Sequence, residues 1–424
     1  MRPSTKLFFA VLLCAFGLAS APAQAPEKPF YLHSGDTVVF YGDSITEQRF
    51  YTFWVEVYTA TRFPKMPVEF FNAGIGGDRV TGGGGGPIDL RLSRDVFPQK
   101  PSVVTIMLGM NDGSYRPLTP EIEATYKQGY EHILASIQQN SPTARITLFG
   151  PSPYDEVTRP EMFPGGYNST LTHFADIDAE LARTHNATFI DLNAPFVAAL
   201  KRGLAVDPLA IQLLLPDRVH PEQTAHWFMA QAILKGWNAP ALVSSTSLDA
   251  ANQAVVDQKN AHVTDLKAEG ASLTWTELED ALPLPFNMDS ASTKFLTQIT
   301  DLIDQLDQEP LIVTGLVPGN YDLSIDGGSV GKFTGQDFAK GINLAILNTP
   351  MRSQAFTVNW TIRDRDDTHY VRLMMLVNQM KSGISHQRGE DELADFEKVQ
   401  QKVIYDLAQP KPHVFRISAI AAQN

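Results

Sequence analysis

The chain has 424 residues, 43% of them hydrophobic and 19% charged, a balance that excludes an intrinsically disordered polymer. Its formal net charge of −13 argues against nucleic acid and anionic membrane as partners, since both call for clustered positive charge. The length exceeds what one hydrophobic core usually holds, so two units are expected.

Arg2 and Lys6, an apolar run over 7–18, and Ala23-Gln24-Ala25 form the n-region, h-region and cleavage site of a secretory signal peptide. The run is shorter than the ~20 residues that span a bilayer, which disfavours a membrane anchor or a buried first helix. The protein is therefore expected to be secreted or periplasmic, with cleavage near Ala25 and residues 1–25 outside the fold. Cys14, the single cysteine, lies in that segment. A cleaved chain has no thiol for disulfides, thiol catalysis or metal ligation. No later segment is long and apolar enough to span a membrane.

From residue 35 to about 236, short apolar runs alternate with longer amphipathic ones, the pattern of strands and helices around a parallel sheet. Strands are predicted at 36–41, 67–72, 102–108, 144–150 and 187–191, and helices at 46–60, 88–96, 119–140, 168–184 and 221–236. The helix at 119–140 has a capped start in Thr119-Pro120-Glu121-Ile122 and one apolar face in Tyr126, Tyr130, Ile133, Leu134 and Ile137. Open α/β sheets gather their chemistry at the carboxyl ends of the strands. Ser44 follows the first predicted strand, the glycine-rich 72–78 the second, and 109–112 the third.

Beyond Trp237, Ala239-Pro240 and a Ser/Thr stretch at 244–247 mark a boundary. The chain divides into a signal peptide (1–25), a first unit (26–240) and a mixed α+β accessory region (241–424). Within the last, 248–268 reads as a polar helix, and 311–314 and 321–325 as strands with turns at Pro318-Gly319-Asn320 and Asp326-Gly327-Gly328. Residues 350–384 and 391–408 read as helices, with Pro350 in a first turn. This region is either a small carbohydrate-binding sheet or a structural appendage packed on the first unit.

The sequence Tyr41-Gly42-Asp43-Ser44-Ile45-Thr46-Glu47 places a serine where an extended run becomes helical. A serine hydroxyl is a weak nucleophile that needs a base, an orienting acid and donors for the developing oxyanion. Asp217-Arg218-Val219-His220-Pro221 offers an acid and a base three residues apart, close enough for the carboxylate to reach the imidazole within one turn. Taken singly, Gly-Asp-Ser is usually a turn and Asp-x-x-His a surface pair. Together with Asn72-Ala73-Gly74-Ile75-Gly76-Gly77-Asp78 and Gly109-Met110-Asn111-Asp112, in this order, they resemble the four blocks of the SGNH, or GDSL, hydrolases, a family of esterases and lipases. The resemblance covers roughly half the chain.

It implies a three-layer, flavodoxin-like α/β fold with a central parallel sheet, extended here by the mixed α+β region. It also implies a triad of Ser44, His220 and Asp217, with oxyanion donors from the N–H of Ser44, the N–H of Gly77 and the side-chain amide of Asn111. The implied reaction is hydrolysis of a small-molecule or glycan carboxylic ester through an acyl-enzyme, with no metal or organic cofactor. Carbohydrate deacetylation is within its range.

Two other readings use the same residues. Asp43, Asp112 and Asp217 with His220 could form the hard-metal site of a phosphoesterase, but no second histidine stands at ligand spacing. A non-catalytic secreted carbohydrate-binding protein on the same scaffold has no reason to keep Ser44, Asn111, Asp217 and His220 together. His226, His132, His173 and His185 fall on helical stretches and read as packed or solvated. The glycine run 82–86, ahead of Pro87, lacks the Lys-Ser/Thr of a phosphate-binding loop and reads as a flexible segment at the site mouth, a lid or a plain surface loop. Phe50, Tyr51, Trp54 and Tyr115 either line a pocket or pack inside, with core packing favoured for Trp54.

Overall fold

The computed structural model describes residues 28–270 and 272–421, so the predicted signal peptide lies outside the described residues. The first half runs β1 (Asp36–Gly42), α1 (Ser44–Glu47), α2 (Phe50–Arg62) and β2 (Val68–Gly74), then a small hairpin of β3 (Gly82–Gly83) and β4 (Gly86–Pro87). It continues with α3 (Ile88–Arg91), β5 (Val103–Met107), α4 (Pro120–Asn140), β6 (Arg145–Phe149), α5 (Tyr167–Thr184) and β7 (Thr188–Ile190). Three helices close it: α6 (Asn193–Val206), α7 (Pro208–Leu213) and α8 (His226–Gly236).

β2-β1-β5-β6-β7 form one parallel sheet, the flavodoxin-like order, with helices on its faces. The inner strands read as unbroken apolar runs because both their faces are covered: Val38, Val39, Phe40 and Tyr41 are all buried, as are Val103, Val104 and Ile106. α4 starts at its predicted cap, where the Thr119 hydroxyl accepts from the Ile122 N–H.

Several predicted helices are altered. The one at 46–60 is broken into α1 and α2 by Arg49, whose φ is 69°. The one at 88–96 is an α-turn, α3, that widens into a π-helical turn over Leu92–Val96. The last begins at His226 rather than Pro221, because 221–225 is held in turns, with the Glu222 N–H bonded to Leu214 O. Neither α6 nor α7 was foreseen, although Asp207 and Pro208 form a capped start for α7.

The second half comprises β8 (Ser245–Asp249), β9 (Ala254–Lys259), β10 (Ala261–Glu269), β11 (Ser272–Glu279), α9 (Ala291–Ile299) and α10 (Leu302–Leu306). After these come β12 (Pro310–Thr314), β13 (Asn320–Ile325), β14 (Gly328–Thr334), α11 (Gly335–Lys340), β15 (Ile342–Asn343), α12 (Pro350–Ser382), α13 (Gln387–Ala408) and β16 (His413–Ala419). The predicted polar helix at 248–268 is in fact strand. β9 is exposed along its whole length and held by pairing to β8; its apolar residues, Ala254, Val255 and Val256, are consecutive rather than alternating, so no buried face marks it. Two sheets result, ordered β10-β11-β16-β13-β14 and β15-β12-β8-β9.

α12 and α13 form a hairpin laid against α2 and the edge strand β2. His369 Nε2 donates to Asn72 O at 3.0 Å, and Tyr405 Oη donates to Val68 O at 2.9 Å. Both carbonyls belong to the open side of the parallel sheet, whose unpaired groups are thereby covered. Beneath them the buried Arg365 binds Glu56 of α2 at 2.6 Å and Asp366 at 2.8 Å. At the other end Arg62 donates to Leu306 O at 2.9 Å. Apolar side chains of both halves share one continuous core.

Between the two accessory sheets lie three buried acids. Glu277 accepts from Thr246 and Trp275, and Glu279 from Ser244, whereas neither carboxyl oxygen of Glu309 meets an N–H or O–H of another residue type. Glu309 lies beside Glu279, and each carboxyl disfavours the charged form of the other. Burial, then the charges of its neighbours, pushes Glu309 well above the carboxylate range, and burial followed by Glu277 pushes Glu279 up to about 7. The fold therefore binds these protons more tightly than the unfolded chain does. Their stabilising contribution is complete below the ordinary glutamate value of 4.5 and is lost as pH rises through about 7. Glu309→Gln, which supplies an amide donor to Glu279, is expected to stabilise the protein by about 1–3 kcal/mol at pH 8 and to change little at pH 5. Thermal denaturation at the two pH values checks it.

Candidate functional site

The turn that carries Ser44 starts where β1 runs out. A Cβ at Gly42 would lie 2.1 Å from Thr46 Oγ1 and 2.8 Å from Met107 O, and one at Gly74 would lie 2.3 Å from Glu47 N. Only glycine fits at either place, because α1 sits directly on the ends of β2 and β5. Asp43 caps α1 by accepting the Ile45 N–H at 3.0 Å. Burial, reinforced by the charges of Asp112 and Asp78, pushes the Asp43 carboxyl up to about 7 against that hydrogen bond.

Ser44 Oγ lies 2.8 Å from His220 Nε2, and His220 Nδ1 lies 2.6 Å from Asp217 Oδ2. Arg218, at φ 72°, folds the 217–220 turn so that Asp217 Oδ1 also accepts the N–H groups of Val219 and His220, at 3.0 and 2.8 Å. Burial alone would raise the Asp217 carboxyl; the hydrogen bonds from the His220 ring and these two N–H groups outweigh it and hold the group below its ordinary value. An ionised Asp217 keeps the ring proton on Nδ1 and leaves the Nε2 lone pair facing the serine hydroxyl. The pair is open to solvent, His220 at 36% and Asp217 at 54% side-chain exposure.

Beside the serine runs the loop after β2. A Cβ at Gly76 would stand 3.8 Å from Ser44 Cβ, so the loop lies directly alongside. Gly77 has φ 76° and nothing within 4 Å of its Cβ position, leaving its outer face free. Asn111 donates from Nδ2 to Asp78 O at 3.0 Å and accepts at Oδ1 from Tyr115 Oη at 3.3 Å. These two partners fix the amide the right way round and leave one N–H of Nδ2 unused. Asp112 takes the N–H groups of Val80 and Gly109 at 2.9 and 3.0 Å, and burial pushes its carboxyl up to about 6.

The structure thus brings Ser44, His220 and Asp217 into one hydrogen-bonded chain at the end of β1, with Gly77 on the adjoining loop and Asn111 bonded to that loop through Asp78 O. Residues not foreseen hold this arrangement. Arg91, fully buried, binds Asp78, Asp95 and, at 2.6 Å, Ala73 O, anchoring the loop from behind. Gln48 Nε2 donates to Pro221 O at 3.3 Å, and its Oε1 meets His226 Nε2 at 3.1 Å. His226 is a core histidine, pushed down to about 3 by burial and stacked on Tyr51. Trp54 is also core, stacked on Trp227, and Tyr115 alone of the four singled-out aromatics borders Asn111 through a hydrogen bond. Glu47 was legible as part of the first motif but carried no assigned role.

The glycine run forms a short hairpin, partly exposed at the surface, that packs on the loop after β2. β3 and β4 press on the loop after β2 so closely that a Cβ at Gly83 would lie 2.3 Å from Gly77 O and one at Gly84 2.2 Å from Gly76 O. Gly83→Ala is expected to push the 76–78 backbone outward and lower the turnover of an ester by about 10²-fold, the cost of an ångström-scale misplacement, while the protein stays folded. Turnover and circular dichroism on the same sample check it.

Residues 40–228 match the model of the GDSL-like lipase/acylhydrolase family. An acetylxylan esterase of Geobacillus stearothermophilus is 27% identical over 220 residues, which are 48% of this chain and 94% of that protein. Over 93% of its length the chain superposes on 99% of a solved structure described as a gut microbial diltiazem-metabolizing enzyme, with a TM-score of 0.81 and 26% identity. The likeness thus extends through the accessory sheets and the α12–α13 hairpin. With its four motif blocks, its β2-β1-β5-β6-β7 parallel sheet and this match, residues 40–228 form a unit of the GDSL-like lipase/acylhydrolase family, and the chain is a carboxylic ester hydrolase.

Proposed function

We propose that the protein is an exported serine esterase that removes acetyl groups, with Ser44 as nucleophile, His220 as general base and Asp217 as the acid that orients it. The observation carrying this reading is the continuous relay from Ser44 Oγ to His220 at 2.8 Å and on to Asp217 at 2.6 Å. His220 Nε2 takes the hydroxyl proton as Ser44 Oγ bonds to the ester carbonyl carbon. The negative charge that forms on the carbonyl oxygen is received by the N–H groups of Ser44 and Gly77 and by the unused N–H of Asn111. Collapse breaks the bond to the alcohol, which leaves with the proton from His220. Water then attacks the acyl-enzyme by the same proton route and releases the acid.

An acetyl ester is favoured by what the similar proteins handle. Acetylxylan carries O-acetyl groups, and diltiazem, though a small molecule, carries one as well. The exposure of His220 and Asp217 leaves room for an ester borne on a bulky alcohol, glycan or otherwise. Export is supported by the n-region, h-region and Ala23-Gln24-Ala25 of residues 1–25.

Ser44→Ala is expected to abolish hydrolysis of nitrophenyl acetate, and equal rates for variant and wild type would remove Ser44 as nucleophile. Asn111→Ala should lose about 10²–10³ in kcat with the fold intact. Comparing nitrophenyl acetate with longer acyl esters, alongside acetate release from acetylated xylan, tests the acetyl preference; a faster octanoyl ester would refute it.

A further inference from the structure

The accessory half reaches the catalytic turn through one helix. Tyr370 on α12 donates from Oη to Glu47 Oε1 at 3.1 Å, and Glu47 Oε2 accepts the N–H of Gly76 at 2.7 Å. Glu47 is the last residue of α1, three beyond Ser44, and Gly76 immediately precedes Gly77. Arg49, two residues on, pairs with Asp367 at 2.7 Å and lies over the Tyr370 ring at 4.7 Å. One turn of α12 thus grips both ends of the link between α1 and α2, and His369 in the same turn holds Asn72 O. Asn72 in turn donates to Thr46 O at 2.8 Å and accepts the Gly74 N–H at 3.0 Å.

We propose that Tyr370 and Glu47 form a positioning relay by which the C-terminal hairpin sets the oxyanion loop. This rests on the reading of Gly77 as an oxyanion donor given above. The Gly77 N–H belongs to the peptide unit that begins at the Gly76 carbonyl. The glycine hairpin packs against that carbonyl, and Glu47 holds the N–H on the other side of Gly76. With both flanks pinned, little rotation remains at Gly76, and the next N–H keeps its direction. Glu47 has two oxygens for this, one for Gly76 and one for Tyr370, so the phenol decides which rotamer the carboxylate adopts. Neither residue touches the ester in this scheme: they act through Gly76.

Ester hydrolysis by full-length protein tests the relay, with kcat and KM measured for wild type, Tyr370→Phe, Glu47→Ala, the double variant and Ser44→Ala. Tyr370→Phe removes one hydroxyl and is expected to lower kcat about tenfold with KM within about twofold of wild type, since the loss lies in transition-state geometry. Glu47→Ala should lose at least as much, and the double variant no more than Glu47→Ala alone, because the two residues act as one unit. Wild-type kcat in Tyr370→Phe, or losses that simply multiply in the double variant, would overturn the relay. Should Glu47→Ala not fold, Tyr370→Phe decides alone. Activity surviving in Ser44→Ala would instead sink the nucleophile assignment, an outcome separate from failure of the relay.

Discussion

Everything at the site depends on how closely the turn after β1 approaches the backbone of its neighbours. With no room for a Cβ at Gly42 or Gly74, α1 rests on the ends of β2 and β5 as on a shelf. That contact forces the following residues apart. Asn72 ties back to Thr46, Glu47 turns to Gly76, Gln48 to Pro221, and Arg49 takes a left-handed conformation and turns to Asp367. Four consecutive residues after Ile45 therefore link the serine to the glycine loop, the histidine loop and the C-terminal hairpin.

Rigidity comes from beneath the site and leaves the reacting face open. Arg91, Asp78 and Asp95 form a buried charged cluster under the glycine loop, and removing one member of such a cluster typically costs about 3–5 kcal/mol because it strands the others. The Gly83–Gly84 backbone presses on the loop from the flank. On the solvent side, by contrast, Gly77 has no neighbour, and the His220–Asp217 pair is half exposed.

The parallel sheet was largely legible because its strands are buried on both faces and read as unbroken apolar runs, each followed by a helix with its own period. Ser44, Asn111, Asp217 and His220 were legible as candidates because they fall in four ordered blocks that resemble one family, and the structure brings Ser44, His220 and Asp217 in turn within hydrogen-bond distance of one another. What escaped was whatever depends on contacts distant in sequence. β9 has no buried face to betray it and is held by pairing. β16 enters the middle of a sheet between β11 and β13, strands formed far earlier in the chain. Tyr370 looks like any helical tyrosine, and nothing local says that it meets Glu47 across 323 residues. The glycine run was read as flexible because glycine is permissive, whereas here the space beside Gly82, Gly83 and Gly84 is filled by backbone and that beside Gly85 and Gly86 by the Arg91 and Leu90 side chains.

The coverage of β2 by the hairpin has a consequence for the order of assembly. The groups that close the sheet's edge, His369 and Tyr405, lie 297 and 337 residues beyond the carbonyls they cover. During synthesis, β2 is complete long before either cap exists, and its carbonyls at Val68 and Asn72 are available in the interval to any extended strand, including that of another nascent copy. The first half is thus complete while its sheet edge is still open and Glu47 still lacks its Tyr370 partner. The turn that carries Ser44 gains its contacts from α12 once residue 370 has emerged, and the edge of β2 is covered at Val68 only once residue 405 has.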